Sequence, residues 1–235
     1  MPTIETARAW YPEFDPVHGF DHVLRVYKLA ERLAAAEGAD MEIVRAAALL
    51  HDAQGESGTG EDRSVPGDSE FLAEKGSNLS DSGRGDHQNL SARFARGVLE
   101  AEGWEEGRIA AVEHCIRAHR FRKTEEQPGT IEAQVLFDAD KLDAIGAIGV
   151  ARAVAYAARE GKQFYWPPSD HFLTSGEEEA GEPHSAYHEY LFKLRKLKDR
   201  LYTPYGRLLA LERHERMVSF FEQLAIEVDG KDWPA

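Results

Sequence analysis

The sequence predicts an all-α fold, and three observations support this prediction. Apolar residues recur at helical spacing, for example at Val26, Leu29 and Leu33. Proline and glycine are scarce inside these periodic runs. No segment shows the alternation of apolar and polar residues that is typical of a half-buried strand.

Helix boundaries follow from capping residues. Gly19 precedes the first long helix, which is expected to end near Gly38. Asp40 can cap the next helix, from Met41 to about His51. Thr130 is a plausible N-cap further along, and the segment after it breaks or packs closely at two glycines. These two glycines are Gly146 and Gly149. The other predicted helices lie at about 87–102 and 105–119, and two more lie near the C-terminus.

Two irregular stretches interrupt the helices, at residues 54–86 and 161–183. The first is rich in Gly, Ser, Asp and Glu, and it leaves directly from His51-Asp52, which favours a functional lid. A chain of 235 residues fits a single domain. We expect its core at about 18–160, with C-terminal helices at about 185–230 packing on it.

Composition excludes several classes of protein. A net charge of −14 argues against a binder of nucleic-acid polymers, because the phosphates would be repelled. The apolar stretch 144–158 contains Arg152 and is too short to span a bilayer, and the N-terminus lacks a signal-peptide pattern. The single cysteine, Cys115, suits a reducing cytosol and is expected to be a buried apolar residue. We therefore expect a cytoplasmic protein without membrane contact.

Four residues at the ends of or within apolar helices form a candidate metal centre: His22, His51, Asp52 and Asp140. Imidazole and carboxylate together suit a divalent transition metal, which can activate water at neutral pH. Each residue also has a simpler explanation. A histidine on an apolar face is often a hydrogen-bonded core residue, Asp52 could be a helix-end residue, and Asp140 could pair with an arginine. One shared cation explains the buried ionisable groups of three helices best.

The motifs HGFDHVLRV, ALLHDA, VEHCIRAHRF and TIEAQVLFDADKLDAIGAIGVARAVA resemble the bacterial HD-domain phosphohydrolases of the YedJ/YpgQ type. The resemblance runs from about His18 to Val154 and resumes at HEYLFKLRKL. It implies an HD-domain helical bundle with the two irregular stretches as insertions. It also implies metal-dependent cleavage of phosphate esters or anhydrides, with nucleoside triphosphates as substrates, and it makes the same four residues the metal ligands.

Six further residues are candidates for catalysis or phosphate binding. Arg25 could meet a phosphate oxygen or form a salt bridge to a carboxylate. Lys141 adjoins Asp140, but neighbouring helical positions diverge by about 100°, which favours a solvent-facing side chain. His188 and Lys193 are phosphate contacts or surface residues. His18 could orient the substrate, and Glu56 could act as a general base through water. The candidates are Arg25, Lys141, His188, Lys193, His18 and Glu56.

A second metal ion is an open alternative, with His87 and His119 as its added ligands, as in HD proteins with binuclear centres. His114 and His119 are five residues apart and do not share a helical face, so we expect at most one of them to point inward, and His119 is preferred.

The preferred function is cleavage of (d)NTP to (d)NMP and pyrophosphate by metal-activated water. A nucleotide phosphomonoesterase, a di-iron HD-type oxygenase and a regulatory binding module are the alternatives. Alarmone hydrolases of this superfamily carry acidic residues at the third and fourth positions after their Asp. This chain reads HDAQGE, with Gly55 and Glu56 at those positions, so alarmone hydrolysis is disfavoured. The expected metal is Mn²⁺, Mg²⁺, Fe²⁺, Co²⁺ or Ni²⁺. The expected partner is a nucleotide or another phosphorylated small molecule. The apolar C-terminal helices suit a homodimer.

Overall fold

The structure is a computed structural model, and it describes residues 1–11, 19–54, 87–120 and 126–232. These residues form helices joined by turns, with no strand among them, which confirms the all-α prediction. They fall into two compact units, Met1–Ala139 and Asp140–Ala235. The single domain expected over 1–235 stays a prediction.

The described residues of the first unit form five helices and most of a sixth. Its interior is apolar, with fully buried side chains that include Leu33, Leu50, Leu99 and Ile116. Burial of such side chains is the main favourable term in the folding of a domain of this size. The helices are α1 Ile4–Arg8, α2 Phe20–Glu37, α3 Met41–Leu50, α4 His87–Ala101, α5 Glu106–Ala118 and α6 Ile131–Asp143, whose last four residues belong to the second unit.

Capping residues set these boundaries as the sequence predicts. Helix α2 ends at Gly38, whose left-handed backbone (φ 73°) suits a residue without a Cβ. The side chain of Asp40 accepts hydrogen bonds from the backbone N–H groups of Glu42 and Ile43, so Asp40 is the N-cap of α3. Thr130 Oγ1 accepts from Ala133 N at the start of α6.

The second unit begins within α6 and continues with α7 Gly146–Arg159, α8 Asp170–Ser175, α9 Ala186–Phe192 and α10 Pro204–Val228, with a 3₁₀ helix at Leu194–Arg200 before α10. The break between α6 and α7 occurs at the predicted glycines. Gly146 has φ 75°, and a Cβ on Gly149 would lie 2.3 Å from the carbonyl oxygen of Ala144. In the interior, the rings of Tyr190 and Phe221 stack with centroids 4.4 Å apart.

Two details of the sequence prediction concern the insertions. The irregular stretch 161–183 contains α8, which the sequence reading missed even though Ser169 caps its start and Gly176 ends it. Of the stretch 54–86, only residue 54 is described. Residues 55–86, which include Glu56, lie outside the described residues, and so does His18.

No helix in the described parts of the chain is long and apolar enough to cross a membrane. Cys115 is a buried free thiol, as predicted.

Candidate metal centre

Asp52 lies at the middle of a cluster of four histidines within the first unit. Its Oδ2 is 3.4 Å from His51 Nε2 and 3.7 Å from His22 Nε2. Its Oδ1 is 3.5 Å from His119 Nε2 and 3.8 Å from His87 Nε2. Each carboxylate oxygen is therefore flanked by two imidazole nitrogens.

The histidines come from four helix segments, and three of the rings are almost completely buried. His22 lies in the first turn of α2 and is 2% exposed, while His51 is the C-cap of α3 and is 0% exposed. His119 is the C-cap of α5 and is 3% exposed. His87 begins α4 and retains partial exposure, as does Asp52. The more open side of the cluster is thus the side of His87 and Asp52.

The ends of α3 and α5 orient two of these rings in the same way. His51 Nδ1 lies 2.9 Å from the carbonyl oxygen of Ala48, and His119 Nδ1 contacts the carbonyl oxygen of Ile116. A carbonyl only accepts, so Nδ1 donates in both contacts. When such a ring is neutral, its Nε2 carries the lone pair, which is the tautomer that a metal ligand needs; when it is protonated, its Nε2 donates towards Asp52 instead.

The surroundings keep the carboxylate ionised. Burial alone would raise the pKa of Asp52, but the charge of His51, the hydrogen bond from His119 and the charges of His119 and His22 together hold it well below its usual range. Burial lowers the pKa of His87 to about 4, and Arg120 contributes in the same direction against the opposing effect of Asp52. Asp52 is therefore an anion and His87 a neutral ring at neutral pH.

A divalent cation fits this donor set. Neutral imidazole nitrogens and an ionised carboxylate are the ligands that divalent transition metals accept. One carboxylate oxygen of Asp52 and one ring nitrogen each of His87 and His119 lie within 4.8 Å of one another. The cluster of His22, His51, Asp52, His87 and His119 could therefore hold a metal ion.

The other predicted residues have these positions. Asp140 is the first residue of the second unit and lies in the last turn of α6, where its Oδ2 accepts from Lys141 Nζ at 2.5 Å. Lys141 is 9% exposed, so the expectation that it faces solvent is wrong, because its ammonium turns back onto the adjacent carboxylate. Arg25 is half-buried in α2, one turn after His22.

His188 and Lys193 are engaged inside the second unit. His188 is fully buried, with Nδ1 2.7 Å from Ser185 Oγ and Nε2 3.0 Å from Glu182 Oε1, so of its two alternatives the surface role is wrong. A phosphate contact would have to replace one of these bonds. Lys193 Nζ donates to Glu189 Oε1 at 2.5 Å, which is an i,i+4 pair.

The structure also distinguishes His114 from His119. His114 Nδ1 bonds Glu126 Oε1 at 2.8 Å, and its Nε2 accepts from the backbone N–H of Gly129, so both ring nitrogens are engaged at the turn that precedes α6. The sequence reading missed Tyr11, whose hydroxyl contacts α3, and the pair formed by Gln88 and Arg120.

Comparison with known proteins agrees with the fold and the cluster. The family model of the HD domain matches residues 19–145. The chain is 33% identical to YpgQ of Bacillus subtilis over 218 residues, covering 92% of this chain and 86% of that protein. A crystal structure of Bacillus subtilis YpgQ in complex with ADP matches with a TM-score of 0.66 and 30% identity, over 98% of this chain and 100% of that chain. An HD-superfamily hydrolase from Bacillus thuringiensis matches with a TM-score of 0.64 and 27% identity, over 96% and 94%.

The chain therefore belongs to the HD-domain family. Within that family, the cluster around Asp52 and the similarity to HD-superfamily hydrolases define a metal-dependent phosphohydrolase.

Proposed function

We propose that the substrate is a nucleoside triphosphate, which the protein cleaves to a nucleoside monophosphate and pyrophosphate. The observation that carries the hydrolase part is the convergence of four imidazole nitrogens on the two oxygens of Asp52. The nucleotide part is supported by YpgQ of Bacillus subtilis, which is 30% identical over nearly the whole chain and was crystallised with ADP. In the net reaction water adds to the α-phosphorus, and the bond to the bridging oxygen breaks so that pyrophosphate leaves.

The chain's own residues prepare the centre for this chemistry. Asp52 contributes a negative charge at neutral pH, and the helix ends at His51 and His119 present Nε2 lone pairs in fixed directions. The near-complete burial of His22, His51 and His119 keeps bulk water from three sides. A divalent cation bound there would lower the pKa of a water molecule to about 7 and supply hydroxide at neutral pH.

Two residues extend the proposal. Asp140 is proposed as a further ligand on the motif match alone. Arg25, which lies one turn after His22, is proposed to offset charge that develops on the phosphoryl oxygens.

A panel of nucleoside triphosphates, assayed with Mn²⁺ or Mg²⁺ added to metal-free protein, tests the proposal. We expect a monophosphate and pyrophosphate in equal amounts, with hydrolysis abolished by chelation. Release of inorganic phosphate from a nucleoside monophosphate would instead support the phosphomonoesterase. No metal-dependent release from any nucleotide would overturn the proposal and favour a binding module.

A di-iron oxygenase is the second candidate, and one observation favours it. The two oxygens of Asp52 face different pairs of histidines, His22 with His51 and His87 with His119, as a carboxylate shared by two cations would. Two irons per chain together with substrate-dependent oxygen uptake would support this candidate. Two metal ions with hydrolysis alone would support a binuclear phosphohydrolase.

A further inference from the structure

The turn after α3 is joined to α4 by a hydrogen bond between a backbone amide and a side chain. Gln54 N donates to Ser91 Oγ at 3.1 Å, across 37 positions of the sequence. Ser91 is 0% exposed and lies on the buried face of α4. A buried hydroxyl is costly without a partner, and alanine has the higher helix propensity. This bond therefore accounts for a hydroxyl at a core position of the helix.

The two partners of this bond belong to the two segments that carry Asp52 and His87. Gln54 follows Asp52 by two residues, and Ser91 lies one helical turn after His87, on the same face of α4. The Nε2 atom of His87 is itself 3.8 Å from Asp52 Oδ1. The Gln54–Ser91 bond is therefore a second connection between the same two segments, next to the facing carboxylate and imidazole.

The backbone at Asp52 needs such a connection because α3 ends before it. The last residue of this helix is Leu50, so the regular helical hydrogen bonds do not extend past Asp52. Beyond the helix, Ala53 N donates to the carbonyl oxygen of Leu50 at 3.2 Å, and Gln54 N donates to Ser91. The first of these bonds holds the turn on α3, and the second fixes the distance of the turn from α4.

We propose that Ser91 is a positioning residue of the metal centre, whose hydroxyl holds the turn that carries Asp52 at the distance from α4 at which Asp52 and His87 can bind one cation. One carboxylate oxygen of Asp52 and one ring nitrogen each of His87 and His119 already lie within 4.8 Å of one another. Metal sites tolerate changes of only about 0.2 Å in their ligand distances, so a small movement of the turn weakens binding. The inference rests on the proposed metal ligands and not on the identity of the substrate.

The test compares Ser91→Ala with a matched control, Ser185→Ala, both in the full chain. Ser185 is also a buried serine, 1% exposed, but it lies in the second unit, where its Oγ is 2.7 Å from His188 Nδ1 and caps α9. Each variant therefore loses one buried hydroxyl and its hydrogen bonding. Calorimetry measures the binding of Mn²⁺ to metal-free protein, and the visible absorption of Co²⁺-loaded protein reports the coordination geometry. Thermal denaturation measures the stability of each variant.

We expect both variants to fold and to have a lower Tm than the wild type, since each loses a hydrogen bond in a buried place. Ser91→Ala is expected to bind Mn²⁺ about tenfold or more weakly, as is usual when a group that orients metal ligands is removed. Its Co²⁺ spectrum is expected to differ from that of the wild type. Ser185→Ala is expected to match the wild type in Mn²⁺ affinity and in the Co²⁺ spectrum.

Wild-type Mn²⁺ affinity or a wild-type Co²⁺ spectrum in Ser91→Ala would overturn the inference, as would no Mn²⁺ binding by the wild type. Equal weakening in Ser185→Ala would overturn it too, because the effect would then come from lost stability. A Ser91→Ala variant that does not fold would show that the hydroxyl serves folding instead.

Failure of the proposed function gives a different result. Weaker Mn²⁺ binding and an altered Co²⁺ spectrum in Ser91→Ala, without nucleotide hydrolysis by the wild type, would retain the role of Ser91 and reject the pyrophosphohydrolase.

Discussion

The hydroxyl of Tyr11 donates a hydrogen bond to the carbonyl oxygen of Leu49, 2.8 Å away and 38 positions later in the sequence. Leu49 is in the last turn of α3, where carbonyls lack partners within the helix, and His51 and Asp52 follow immediately. Tyr11 is itself buried, and burial together with the charge of Asp52 raises the pKa of its hydroxyl well above the usual value. The phenol therefore stays protonated and stabilises the helix end that carries two predicted metal ligands.

Tyr11→Phe tests this contact, because it removes the hydroxyl and keeps the ring. We expect a loss of about 1 kcal/mol in the free energy of unfolding, the usual contribution of one hydrogen bond. We also expect Mn²⁺ to bind up to about tenfold more weakly, since support for the ligands is lost. Chemical denaturation and calorimetry measure the two effects. Unchanged Mn²⁺ affinity despite the lost stability would show that Tyr11 acts on folding alone.

Asp52→Asn and His51→Ala test the centre directly. Asp52→Asn removes the charge that four imidazoles face, and His51→Ala removes a fully buried ring. Both variants are expected to lose metal retention and turnover together, as measured by elemental analysis and nucleotide hydrolysis. His171→Ala, at an exposed position of α8, is the control and is expected to retain both. Wild-type turnover in either centre variant would refute the assignment.

Glu182 gives a prediction about pH. Burial alone would raise its pKa, but hydrogen bonds from His188 and from Ser169, together with the backbone N–H groups of Glu179 and Ser169, lower it to about 2. A carboxyl whose pKa falls on folding stabilises the fold above its unfolded value of 4.5, and this contribution disappears as the pH falls towards 2. Glu182→Gln cannot titrate, so its Tm should lie below that of the wild type at pH 7.

Melting curves from pH 7 to pH 2 should show the Tm difference between the wild type and Glu182→Gln shrinking below pH 4.5. Glu177→Gln, at an exposed position of the same loop, is the control and is expected to follow the wild type. A difference that stays constant with pH would mean that the carboxylate charge of Glu182 does not contribute to stability.

The variant Gly149→Ala tests the close backbone approach at the break between α6 and α7. A Cβ there would lie 2.3 Å from the carbonyl oxygen of Ala144, which is backbone and cannot move aside easily. Gly149→Ala is expected to destabilise the protein by about 1–3 kcal/mol, the usual cost of overpacking. Gly107→Ala in α5 meets no atom within 4 Å and should stabilise it by about 0.4–1 kcal/mol. Denaturation of the two variants compares them, and equal effects would contradict the close approach.

The helix boundaries could be predicted from the sequence because they depend on local chemistry. Gly38 ends α2 through its left-handed backbone and Asp40 begins α3 through its side chain, and both effects act within a few residues. The short helix α8 was missed because six residues give too little periodicity. Only its caps, Ser169 and Gly176, signalled it.

The candidate site was only partly predictable, because its members meet through tertiary packing. The motifs identified His22, His51 and Asp52, but spacing alone could not place His87 near His119, since the two begin and end different helices. The direction of Lys141 was predicted wrongly, since helical angle ignores the flexible reach of a lysine to its neighbour. The buried hydrogen bonds of His188 could not be predicted, because its partners Ser185 and Glu182 lie three and six residues before it, in a stretch without a periodic pattern.

His51 ends α3 and also faces Asp52, so the length of this helix is tied to the metal centre. One residue inserted between Asp40 and His51 would rotate the imidazole by about 100° around the helix axis and move it about 1.5 Å along it. A substitution in α3 leaves the direction of this imidazole unchanged, whereas an insertion or deletion in the helix would turn it away from Asp52.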